Sequence, residues 1–193
     1  MTKIIGLTGG IGSGKTKIAN YMEKKGIPVY IADIEAKKIL DNSDVIKKVK
    51  EAFDKVVVID EKIDRKSLAN EVFNNPEKLQ KLNNIIHPEV RKHFAEWVKN
   101  HKQHPFVVKE AAILFESGSY KECDKIITVT APIEERIKRV INRDKSPYND
   151  VLQRVNNQWT DEQRAELSDY VVENIDFKQT KKHIDLIIKE LSL

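Results

Sequence analysis

The sequence has seven glycines in 193 residues, and five of them (Gly6, Gly9, Gly10, Gly12 and Gly14) fall within nine consecutive positions. A glycine costs roughly 0.5–1 kcal/mol relative to alanine wherever its freedom goes unused, so this cluster marks one special piece of backbone. From Gly9 to Thr16 the residues fit G-x-x-x-x-G-K-[ST] without a mismatch. A short apolar run, Lys3 to Thr8, precedes the loop and reads as a buried strand. Behind it Ile18, Ala19 and Met22 recur at helical spacing, and Gly26 supplies a stop. Strand, glycine loop and helix together form the setting in which this pattern binds phosphate. Glycines let successive N–H groups converge on an anion, and the helix start adds unpaired donors and a positive dipole end. Lys15 can reach the outer phosphates, and the Thr16 hydroxyl can join the shell of a Mg²⁺ ion. The competing reading, a glycine-rich turn with a chance lysine, has to explain pattern, context and clustering as coincidence.

Strand and helix signals alternate along the rest of the chain. Pro28–Ile31, Phe106–Val108, Lys125–Thr130 and Tyr170–Val172 read as strands. Asp33 can cap a helix bearing Ala36, Ile39 and Leu40, and Asp64 can cap one with Leu68, Val72 and Phe73. The stretch from Asn42 to Gln103 is mostly helical, with Pro76 and Pro88 at expected restarts. Val56–Ile59 is a short β-branched run whose pairing the sequence leaves open. Pro132 opens a helix with Glu134 and Glu135 at its positive end, and Thr180–Leu191 closes the chain as an amphipathic helix. Alternation of this kind predicts an α/β fold, a mainly parallel sheet covered on both faces.

Composition narrows the function classes. A chain of this length buries about 70% of its unfolded surface as a single domain. The one cysteine, Cys123, excludes an internal disulfide and a cysteine-built zinc site. No run approaches the ~18 apolar residues of a membrane helix, and Ile4–Leu7 is too short for a signal-peptide core. The expectation is a soluble cytoplasmic protein. The net charge is +4 with interspersed signs, so neither a nucleic-acid nor a membrane partner is expected, nor is an obligate protein partner evident.

Among phosphate-loop proteins, a GTP-dependent switch would carry D-x-x-G and N-K-x-D, and neither occurs. A motor ATPase would need an acidic residue ending an apolar strand near a catalytic glutamate; Val107-Val108-Lys109-Glu110 matches that only weakly. The first hypothesis is a small-molecule kinase, with a nucleotide-binding regulator as the alternative outside enzymes. Asp33 follows the second strand at the edge where the phosphate loop should lie, where a carboxylate can take a proton from an attacking hydroxyl, orient it, or hold magnesium through water; a helix cap is the alternative. Arg136, Arg139 and Arg143 recur at three and four residues, beside apolar Ile133, Ile137, Val140 and Ile141. That stripe is either a solvated basic edge or a lid whose arginines neutralise phosphate charge.

These residues resemble a known family, the dephospho-coenzyme A kinases. Ile5 to Thr16 looks like the family's opening. Ala32-Asp33 is similar to its D-A-D segment, with Ile31 in place of the first Asp. Asp64-Arg65 through Leu68 and Phe73 resembles its R-x-x-L-x-x-x-x-F stretch, and Leu82-Asn83 and His87-Pro88 match its L-N and H-P pairs. Leu114-Phe115-Glu116 resembles P-L-L-F-E, with Ala112 at the proline. Arg139, Arg143, Arg154 and Gln158 fall at the spacing of its lid, and Asp169 and Asn174 match A-D-x-x-I-x-N.

The resemblance implies ATP-dependent phosphorylation of the ribose 3′-hydroxyl of dephospho-coenzyme A, the last step of coenzyme A synthesis, with Mg²⁺. It implies a phosphate-loop kinase fold, a three-layer sandwich with a five-stranded parallel sheet. The single kinase domain, 1–193, would comprise a core of 1–40, 104–140 and 167–193, a helical acceptor-binding insertion 41–103 and a lid 141–166. Asp33 becomes the base, and Lys15 and Arg139 join it as catalytic groups. Gly10, Ile11, Gly12, Ser13, Gly14, Lys15, Thr16, Arg139, Arg143 and Asn174 become the ATP-binding set, with Thr16 on the metal. Arg65, His87, Phe115 and Glu116 would shape the acceptor site with Asp33, although His87 can equally cap a helix and Phe115 can be plain core. Ile31 removes one carboxylate beside the base, so a second acidic group for magnesium has to come from elsewhere or be replaced by water.

Overall fold

The computed structural model describes residues 2–53, 57–59, 62–73 and 75–193. Val56, at the head of the β-branched run, and the side chain of Phe73 lie outside the described residues. The chain divides into two compact units, one of residues 1–31 and 101–193, the other of residues 32–100. The second unit thus begins at Ala32 rather than at the expected 41, and it takes Asp33 with it.

The first unit is built on β1 (Lys3–Thr8), β2 (Val29–Ile31), β5 (Phe106–Glu110), β6 (Lys125–Thr130) and β7 (Tyr170–Glu173). Among the described residues these form one five-stranded sheet in the order β2-β5-β1-β6-β7, and every pairing is parallel. Parallel strands need crossovers, and helices supply them: α1 (Lys15–Lys24) between β1 and β2, and α6 (Ile133–Asp144), α7 (Tyr148–Asn156) and α8 (Asp161–Glu166) between β6 and β7, while α9 (Phe177–Leu191) follows the last strand. Ile5, Leu7, Phe106, Val108, Ile127, Val129 and Val172 face Ile18, Ala19 and Met22 of α1 and Ile184, Ile187 and Leu191 of α9 in one buried core. A smaller core joins Ile137 and Val140 to Val151 and Val155, with Ile11 of the phosphate loop packed against it.

The second unit is helical: α2 (Ala32–Ile39), α3 (Ser43–Ala52), α4 (Arg65–Phe73) and α5 (Pro76–Lys99), with a short antiparallel hairpin of β3 (Val58–Ile59) and β4 (Lys62–Ile63). That hairpin answers what the β-branched run does. The helices pack around Val45, Val49, Leu68, Val72, Leu82 and Ile86. Asp64 caps α4 as expected, accepting from Lys66 N–H and bonding the Ser67 hydroxyl. Two details differ from expectation. Pro88 does not restart a helix; α5 runs through it to Lys99. And α2 already begins at Ala32, so Asp33 is a first-turn residue and not the cap. A carboxylate there still gains from the helix dipole.

Candidate active site

The phosphate loop leaves β1 at the carboxyl edge of the sheet, where ligands of open parallel sheets bind. Its glycines are required by geometry. Gly12 and Gly14 have φ of 79° and 97°, values that L side chains adopt only with strain. A Cβ on Gly12 would run into the Arg136 carbonyl, and one on Gly14 into the Asn174 amide. No side chain caps α1, and an anion commonly takes up the N–H donors of such a helix start. The Ser13 and Thr8 hydroxyls are fully buried and have no hydrogen-bond partner among the described residues, which suits a polar ligand in the cradle. Lys15 is 8% exposed and folds back over the loop, donating to the carbonyls of Gly9 at 2.7 Å and Gly10 at 3.2 Å. Thr16 stands exposed at the start of α1.

Two of the remaining expected ATP-binding residues, Arg139 and Asn174, hydrogen-bond to this loop. Arg139 donates to the carbonyls of Gly12 and Ser13, both at 3.4 Å, and of Asn174 at 2.8 Å. Asn174, 4% exposed, donates its amide to the Ser13 carbonyl at 2.7 Å and accepts from the Thr180 hydroxyl at 3.2 Å. The Ile11 N–H donates to Gln158 at 2.8 Å. Arg143 stands apart from this set: its exposed guanidinium pairs with Asp144 at 2.6 Å. Phe115 is buried, stacked on Trp159 with ring centroids 5.5 Å apart. Glu116 accepts from the Trp159 N–H at 3.2 Å and from Arg164 at 3.0 Å.

In the second unit, Asp33 is exposed on α2. Arg65 donates to Asp41 at 2.6 Å and to the Lys37 carbonyl at 3.1 Å. His87 is half-buried on α5, and its pKa is pushed below the usual imidazole value by burial and by the nearby Arg91 charge.

The sequence did not single out Arg164 and gave Glu110 only as a weak match, whereas Arg136, read there as part of a solvated edge or a lid, is buried. Glu110 ends β5, is 3% exposed and lies in register with Leu7 of β1 and Ile31 of β2. Strand alternation puts it on the same face as Phe106 and Val108, the face that α1 covers. The weak strand-end match read around Val107–Glu110 was the signal for it. Arg136 is nearly buried and donates to the Ile11 carbonyl at 3.0 Å and to Asp161 at 3.0 Å. Arg164 is fully buried on α8. Thr160 and Gln163 form a capping box that starts α8, and T-x-x-Q was readable in the sequence.

The CoaE dephospho-CoA kinase family model matches residues 3–179. The chain belongs to the dephospho-CoA kinase family. A curated dephospho-CoA kinase of Fusobacterium nucleatum is 41% identical over 172 residues, spanning 89% of this chain and 89% of that protein. The crystal structure of TT1252 from Thermus thermophilus superposes with a TM-score of 0.88 at 32% identity, over 100% of this chain and 99% of that one. A dephospho-CoA kinase from Campylobacter jejuni gives a TM-score of 0.74 at 28% identity, over 100% and 98%. Family membership accounts for the shared motifs at both ends of the chain, from the phosphate loop to Asn174.

Proposed function

We propose that this chain transfers the γ-phosphoryl group of ATP to the ribose 3′-hydroxyl of dephospho-coenzyme A, releasing ADP and coenzyme A, the last step of coenzyme A biosynthesis. Membership of the family supports the substrate pair. The observation that carries the reading is a phosphate loop locked into a cradle at the carboxyl edge of a parallel sheet.

In this reading the N–H groups of residues 12–16 and the Lys15 ammonium hold the ATP phosphates. Arg139 and Asn174 keep the loop in shape, and Arg143, at the start of the proposed lid 141–166, leaves Asp144 for the phosphates while 156–166 stays on the loop. The residues present fit a magnesium ion. Thr16 and Glu110 are the side chains that would hold it. No cluster of three or more His, Cys, Asp or Glu exists among the described residues, and Mg²⁺ bound with nucleotide uses few protein ligands. When bound, the ion offsets the negative charge of the β- and γ-phosphates. Glu110 also replaces the carboxylate lost at Ile31. Asp33 takes the proton of the 3′-hydroxyl as its oxygen bonds to the γ-phosphorus and the bond to the ADP oxygen breaks. Acceptor binding is assigned to Asp33, Arg65, His87, Phe115 and Glu116, the residues that the family resemblance implies. Most of the rate then comes from positioning and charge stabilisation. A cytoplasmic reaction is part of the proposal. No helix among the described residues is long and apolar enough to cross a membrane.

The test is ADP release from ATP and Mg²⁺ with and without dephospho-coenzyme A, with the product weighed by mass spectrometry. A product one phosphoryl group heavier, formed only with that acceptor, is the expected result. ATP binding without transfer would sink the substrate assignment.

A further inference from the structure

The segment 156–166 carries chemistry that the reaction as described leaves unused. Ile11, in the phosphate loop, is held at both of its backbone polar groups by side chains distant in sequence. Its N–H donates to Gln158 Oε1 at 2.8 Å and its carbonyl accepts from Arg136 Nε at 3.0 Å. Only an acceptor can face that N–H, so the Gln158 amide is oriented with its oxygen inward. Arg136, whose side chain is 6% exposed, is itself held by Asp161 Oδ2 at 3.0 Å. The other oxygen of Asp161 lies 3.5 Å from Arg164, whose side chain is 0% exposed and whose Nη2 meets Glu116 at 3.0 Å. The ladder closes on itself: Glu116 accepts the Trp159 N–H, and Arg164 donates to the Trp159 carbonyl.

Charges alternate along this chain, Arg136, Asp161, Arg164, Glu116. Burial pushes the Arg164 pKa down, and Glu116 and Asp161 oppose that. Buried ion pairs add little net stability against apolar replacements, because desolvation offsets the attraction. Their gain here is a fixed arrangement, and what they fix is the Ile11 peptide. Gly10 shows how closely the parts fit, since a Cβ there would collide with the Arg136 guanidinium.

We propose that Gln158 and Arg136 are positioning residues that clamp the Ile11 peptide, with the Asp161–Arg164–Glu116 ladder holding Arg136 to that task, so that segment 156–166 sets the affinity of the phosphate loop for ATP. The proposal rests on the kinase reading, because it takes the loop to be the ATP site. Neither residue needs to touch ATP. A loop already ordered loses less freedom on binding phosphates, and a loosened one binds them more weakly.

The test uses the full chain with Gln158→Met, which keeps the side-chain length and removes the acceptor, and Asp161→Asn, which keeps the shape and removes the charge. ADP binding is read by calorimetry, KM is read for ATP and for dephospho-coenzyme A separately, and thermal midpoints are compared. Gln158→Met should weaken ADP binding and raise KM for ATP about three- to tenfold, the span of one net hydrogen bond. KM for the acceptor should stay unchanged, as should the thermal midpoint, because Gln158 is only partly buried. Asp161→Asn should act in the same direction, and the double variant should fall short of the product of the two effects, since both act on one peptide. Wild-type ADP affinity in Gln158→Met overturns the clamp. So does an equal rise in both KM values with a lowered midpoint, the mark of a general structural brace. A wild-type chain that binds no ADP overturns the kinase reading itself, and the clamp falls with it.

Discussion

The two compact units solve recognition in different ways. In the 1–31 and 101–193 unit, the groups at the phosphate loop are mainly backbone, held in place by buried or partly buried side chains: Asn174 at Ser13, Arg139 at Gly12, Arg136 and Gln158 at Ile11. In the 32–100 unit, the candidate groups are side chains on helices. Asp33 is exposed, Arg65 pairs at the surface with Asp41, and His87 is half-buried. The first arrangement is fixed before any ligand arrives and tolerates almost no change, because each glycine there meets a packed neighbour. The second keeps its core, Val45, Val49, Leu82 and Ile86, separate from the residues that would read the acceptor. In the proposed function, phosphate recognition is thus built into the fold, whereas acceptor recognition would rest on replaceable side chains.

This contrast can be attacked from either side. The largest effect should come from Lys15→Ala, with turnover falling about a hundred- to a thousandfold, as for loss of one preorganised electrostatic donor. Far-UV circular dichroism should show the fold intact, and near-wild-type turnover would break the donor-side account. Asp33→Asn should lower kcat about a hundredfold, the lower range for a general base, with KM for ATP unchanged. If ATP affinity falls while kcat holds, Asp33 belongs with the metal and the division of labour between the units blurs. Gly12→Ala forces a side chain onto a φ of 79°, at a cost of about 1–2 kcal/mol before the clash with Arg136. It should lose most ADP binding in calorimetry and lower the thermal midpoint. Arg65→Ala should do neither. Its pair with Asp41 is exposed and worth about 0–1 kcal/mol at most. The expected change is a rise of about three- to tenfold in KM for dephospho-coenzyme A alone, the span of one net hydrogen bond.

The smallest effect concerns pH. The folded-state pKa of His87 lies below its ordinary 6.5. Above that value both states are neutral and the residue costs nothing. Below it the unfolded chain binds the proton first, so stability falls until the pH passes the depressed folded value. The difference in thermal midpoint between wild type and His87→Gln should be constant above about pH 7.5, and the wild type should lose relative stability as pH falls from the ordinary 6.5 toward that lower value.

The sequence alone determined the strand–loop–helix at the phosphate site, the alternation that becomes the parallel sheet, and the caps at Asp64 and Pro132. These are local: a glycine that needs positive φ, a short β-branched run or a polar cap announces itself within a few residues. It also ordered the motifs well enough to indicate the family. It misjudged Pro88, because a proline breaks a helix in isolation, yet tertiary packing around Leu82, Ile86 and Phe94 carries α5 through it. It could offer Asp33 as a cap or a base, and only the helix start at Ala32 removed the cap. It had no means of assigning Gln158, Arg136, Asp161 and Arg164 to the phosphate loop. Gln158 reaches Ile11 across 147 positions and Arg136 across 125, and pairings at that distance leave no periodicity to read. Those contacts exist because β6 lies beside β1 in the sheet and brings the start of α6 next to the glycine loop, a neighbourhood that only the folded chain creates.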